Sequence, residues 1–63
     1  MTRKDYVKIA QVFKSYIEIA EDGDRDVDAE TVKFLASDMA YMLKRDNAAF
    51  DREKFLSACG VKF

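Results

Sequence analysis

The chain has 63 residues, of which 37% are charged and 49% hydrophobic, and a formal net charge of −1. One cysteine and no histidine exclude an internal disulfide framework and the four-ligand Cys/His zinc site that stabilise many domains of this size. The sequence has no stretch apolar enough to span a bilayer, and its lack of proline suits long uninterrupted helices.

A helix-start signal recurs three times: an apolar residue, a capping residue, then an apolar residue four positions beyond the cap. It reads Met1-Thr2 with Tyr6, Val27-Asp28 with Val32, and Phe50-Asp51 with Phe55. In each, the capping side chain can accept from a free N–H of the first turn while the flanking pair closes over it as a hydrophobic staple. Three starts predict three helices, and an all-α domain with two longer helices and a short third.

The first helix is expected from Arg3 to Glu21, opened by a Thr2/Asp5 capping box. Tyr6, Ile9, Ala10, Phe13, Tyr16, Ile17 and Ala20 recur at the helical period as one wide apolar stripe, extended to one side by Val12 and Ile19. Gly23 is placed to supply the left-handed residue just past its end. The second helix is expected from Ala29 to about Arg45, with a core stripe of Val32, Leu35, Ala36, Met39, Met42 and Leu43. Phe34 and Tyr41, one heptad apart, fall nearly opposite that stripe beside Asp38 and Arg45. Asp46–Ala49 reads as a turn with Asn47 a candidate left-handed cap. The third helix is expected from Arg52 to Ala58, stopping at Gly60 with Val61 folded back on Leu56. Phe50, Phe55, Leu56, Cys59 and Phe63 supply its apolar side.

Charge is unevenly distributed. Residues 1–17 sum to +3, residues 18–30 to −6 and residues 31–63 to +2. The acidic stretch between the first two helices contains Asp22, Asp24, Asp26 and Asp28, and is read either as a solvated loop or as an acidic knob for a basic partner surface. A calcium loop is also considered, since Asp22, Asp24 and Asp26 alternate as in an EF-hand. However, the sixth and twelfth positions are Val27 and Lys33 where glycine and a bidentate glutamate belong, and the frame starting at Asp24 places Ala29 and Leu35 there. No metal or cofactor is therefore expected.

Two aromatics on one outward stripe, Phe34 and Tyr41, call for a cover: the third helix, a second copy of the chain, or a foreign protein. The shoulder of Val12, Tyr16 and Ile19 is open to the same three readings. Cys59 and the serines have no histidine to activate them, so catalysis is not expected and Cys59 reads as a small buried hydrophobe. Basic residues form two small groups, Arg3, Lys4 and Lys8, and Arg52 and Lys54. Nucleic-acid binding stays a third alternative, weakened by the net charge of −1 and by the alternating signs of Asp51-Arg-Glu-Lys54 in the would-be recognition helix.

The stretch Asp46-Asn-Ala-Ala-Phe-Asp-Arg-Glu-Lys-Phe-Leu-Ser-Ala-Cys-Gly60, together with the opening Met1-Thr-Arg-Lys-Asp-Tyr6, resembles small uncharacterised proteins of tailed-phage genomes. Those proteins end in Asp-Asn-x-x-Phe-Asp-x-x-x-Phe-Leu-x-Ala-Cys-Gly; the present chain departs at Ala48, where proline is frequent. The resemblance covers both ends of the chain and little of the middle. It implies a phage or prophage product in the cytoplasm of a bacterial host, and it brings no activity and no site residues. The expected function is a non-enzymatic interaction protein that modulates a host protein, with Asp22, Asp24, Asp26, Phe34 and Tyr41 as contact residues. The alternative is a homo-oligomeric accessory protein.

Overall fold

The structure, a computed structural model, describes residues 1–61 and consists of three helices, α1 (Arg3–Glu21), α2 (Ala29–Asp46) and α3 (Arg52–Ala58). The expected all-α architecture of two longer helices and a shorter third is the one observed, with α2 ending one residue beyond the expected Arg45. Phe63, expected beside α3, lies outside the described residues.

The helix starts use the residues that the sequence offers. At α1 the Asp5 carboxylate accepts from the Thr2 backbone N–H at 2.8 Å and from its hydroxyl at 3.2 Å. At α2 Asp28 accepts from the Glu30 N–H at 3.3 Å and the Thr31 hydroxyl at 2.6 Å. At α3 Asp51 accepts from the Lys54 N–H at 3.1 Å. Of the staples, Phe50 and Phe55 close tightly, with ring centroids 5.4 Å apart and both side chains buried. Val27 and Val32 are half-buried. Met1 stays 66% exposed, and Tyr6 packs instead on Phe50 at 4.7 Å.

α1 and α3 end in Schellman turns on Gly23 (φ +100°) and Gly60 (φ +88°). Past α3, the Val61 N–H donates to Leu56 O at 2.9 Å and the Gly60 N–H to Ser57 O at 3.0 Å. An alanine Cβ at Gly60 would meet nothing closer than Lys14 Cγ at 3.9 Å, so glycine is needed there for its backbone conformation and not for space.

Asn47 corrects an expectation. It is extended (φ −141°, ψ 104°) and not left-handed. Its side-chain oxygen accepts from the Ala49 N–H at 3.1 Å, forming an Asx turn, and its amide donates to the Tyr6 hydroxyl at 3.3 Å. The asparagine side chain thus shapes the turn, so the backbone has no need of positive φ.

The core is built from small residues where the long helices meet. Ala10 on α1 and Ala36 and Ala40 on α2 are 1%, 0% and 1% exposed, and small side chains at these positions permit close approach of the helix backbones. Ile17, Leu43, Phe50, Phe55, Leu56 and Cys59 are the other buried residues. An aromatic chain, Tyr6–Phe50–Phe55–Phe13, ties α1 to α3, its last step an edge contact at 6.4 Å. Contacts of this kind each add roughly 0.5–1.5 kcal/mol beyond burial.

Two residues assigned to the α2 core stripe are not in it. Leu35 is 55% and Met42 56% exposed. The buried line of α2 runs through Ala36, Ala40 and Leu43, rotated away from Leu35 and Met42. On α1, Tyr16 likewise leaves the expected stripe and is 50% exposed.

Candidate interaction surface

The outward face of α2 is built from the pattern Phe34, Asp38, Tyr41 and Arg45, each three or four residues from the next and so on one side of the helix. Phe34 is 69% and Tyr41 63% exposed. The third helix does not cover them: its contribution is the Arg52 guanidinium, 5.1 Å from the Tyr41 ring centroid. This cation–π contact lies over one face of the ring, and Tyr41 stays mostly exposed.

The acidic loop lies between the C-terminal end of α1 and the N-terminal end of α2, so Phe34 is about one turn from its last carboxylate, Glu30. Its aspartates have different jobs. Asp24 accepts from the Asp26 N–H at 2.8 Å in an Asx turn. The Thr31 hydroxyl beside Asp28 outweighs desolvation and, with the Glu30 and Thr31 N–H groups, holds its carboxyl below the usual 3.8. Asp22 is the C-cap of α1, and Asp26 is exposed. The structure therefore gathers Asp22, Asp24 and Asp26 at one end of the molecule. Phe34 and Tyr41 line the flank that begins there.

Among the described residues, no group of three or more His, Cys, Asp or Glu side chains is arranged to hold a metal ion. Among the same residues no helix is long and apolar enough to cross a membrane. Cys59 is fully buried, and burial alone pushes its thiol up to about 11.

The two basic groups of the sequence meet in part. Arg3 and Lys54 line a shallow cleft between the N-terminal half of α1 and α3, together with Tyr6, Asn47 and Asp51. Lys44, a cation in the last turn of α2, has partners that the sequence does not name. Its ammonium donates to Ala48 O at 2.6 Å and Phe50 O at 3.1 Å, clasping the α2–α3 connection. A lysine in the last turn of a helix is a general signal for carbonyl partners; which carbonyls it meets depends on the turn that follows.

Comparison of the chain with protein-family models, with curated proteins and with solved structures found no match.

Proposed function

We propose that the chain is a non-enzymatic interaction module whose α2 outer face and acidic loop together dock on a basic protein surface containing an apolar pocket. The observation that carries this reading is the exposure of Phe34 and Tyr41, 69% and 63%, on a face that α3 leaves open. Aromatics of this kind act as anchors, and charge steers the encounter. Asp38 argues for a foreign partner at this face. It sits midway between Phe34 and Tyr41, and a second copy related by a twofold axis there would bring Asp38 against its own equivalent. The resemblance to tailed-phage proteins supports a host protein of the bacterial cell as the partner, which the module would modulate by occupying its surface.

The test is affinity capture from bacterial lysate with three immobilised proteins: wild type, Phe34→Ala/Tyr41→Ala, and Asp22→Asn/Asp24→Asn/Asp26→Asn. Asparagine at position 24 keeps the Asx-turn acceptor, so the second variant removes charge without removing the loop's hydrogen bond. The same basic protein should be lost with both variants and should elute from wild type as salt rises. Capture that neither variant reduces would overturn the reading.

A further inference from the structure

α1 and α3 run side by side in the same direction. Tyr6 meets Phe50 just before α3 begins, and Lys14 lies beside Gly60 just after it ends. Between the two helices is a cleft of about 420 Å³, within the size range of small-molecule sites. Arg3, Val7 and Ala10, at the spacing i, i+4, i+7, form the α1 wall; Lys54 and Ala58, at i, i+4, form the α3 wall.

The cleft exists because its lining is short of side chain. Phe50 and Phe55 are buried and supply an aromatic floor, their ring centroids 5.4 Å apart. Alanine at positions 10, 49 and 58 leaves the space between the walls unfilled. The Asn47 amide donates to the Tyr6 hydroxyl at 3.3 Å, which ties the α2–α3 connection to α1 within the same lining.

The charges of the lining are few and unequal. Arg3 and Lys54 stand on opposite walls and are both exposed. Asp51 is the one carboxylate in the lining, and it accepts from the Lys54 backbone N–H at 3.1 Å as the cap of α3. Two cations against one carboxylate leave a single positive charge at the rim of an apolar slot. The recess beside Tyr41 has the opposite balance, with Asp38 and Asp46 against Arg45.

We propose that the α1–α3 cleft binds a small aromatic carboxylate. Its ring lies against Phe50 and Phe55, where offset or edge contacts between aromatic groups are favourable. Its carboxylate is held between the Arg3 guanidinium and the Lys54 ammonium, one from each wall. A neutral ring of the same shape keeps the floor and loses the charge pairing. A dianion brings a second negative charge that the lining, with Asp51 in it, does not match. This site is separate from the α2 outer face and does not depend on a protein partner there.

The experiment is a titration of the ¹⁵N-labelled full chain with 1-naphthoate and, separately, with 1-naphthamide, followed by amide chemical shifts. Naphthoate should give saturable shifts at millimolar concentration, confined to the first half of α1, the α2–α3 connection and α3. Naphthamide should bind about fivefold more weakly, the scale expected for two exposed charge contacts. Arg3→Gln/Lys54→Gln should bring naphthoate down to the level of naphthamide. Lys4→Gln/Lys8→Gln removes the same charge from α1 outside the cleft and should leave naphthoate binding unchanged. Ala58→Leu, at an exposed position of the cleft, fills the slot and should abolish binding of both probes. Absence of saturable shifts overturns the proposal. So do equal affinities for the acid and the amide, equal losses in the two glutamine pairs, or binding that survives Ala58→Leu. The dispersion of the amide spectrum reports folding of each variant in the same measurement; if Ala58→Leu unfolds, the acid–amide gap and the two glutamine pairs decide.

Discussion

Cys59 shows how one residue's environment sets its chemistry. It has no exposed surface, and burial raises the thiol from 9.0 to about 11. A thiol with that environment is a packing group and not a nucleophile. Its raised value in the folded state means that the linked stability is fully present below pH 9.0 and is lost as pH rises from there through about 11. Urea unfolding midpoints should therefore fall across that interval more steeply in wild type than in Cys59→Ala, which isolates the thiol from the tyrosines and lysines. In native buffer, iodoacetamide should label the wild-type chain slowly, and urea should accelerate labelling to the rate of a free thiol. Asp5 is the acidic counterpart: the Thr2 N–H and hydroxyl hold its carboxyl below the ordinary 3.8, so its contribution is present above that value and is lost under strong acid.

At the scale of the helices, α2 has two faces with opposite tolerance. Ala36 is fully enclosed against the other helices. Ala36→Leu should overpack that contact and cost about 1–3 kcal/mol, seen as a lower midpoint in urea. Phe34→Ala removes a larger side chain from the exposed face and should change the midpoint by less than about 0.5 kcal/mol. The contrast explains what could be read in the sequence. Starts and stops were legible because a cap is local: Thr2, Asp28 and Asp51 sit within three residues of the groups they bind, and Gly23 and Gly60 take the left-handed turns their neighbours require. The position of Phe34 and Tyr41 off the core stripe was also legible, since it follows from helical phase; that α3 leaves them exposed was not, because it depends on where the short helix packs. The exact phase of the buried line was not. Leu35 and Met42 are large and draw the apparent stripe toward themselves, whereas close helix packing selected Ala36 and Ala40, whose small side chains carry little weight in a hydrophobicity pattern. The conformation of Asn47 and the partners of Lys44 were not legible for a related reason, because both belong to the α2–α3 connection and not to any periodicity.

Taken as a whole molecule, the chain is an electrically lopsided rod, 36 Å long and 18 Å across, with the −6 segment of residues 18–30 at the α1–α2 loop. Crowded carboxylates repel one another, and salt screens that repulsion over about 10 Å at 0.1 M. Raising ionic strength should therefore raise the melting temperature, and Asp22→Asn/Asp26→Asn should flatten the rise; equal salt responses in thermal melts would show that the crowding carries no cost. The short length of α3 has its own consequence. Seven residues are too few to stay helical in water alone, so the segment keeps its shape only while clipped to the hairpin. Phe55, Leu56 and Cys59 are all buried on that segment, so native-state exchange should open their stretch of backbone as one unit and not residue by residue.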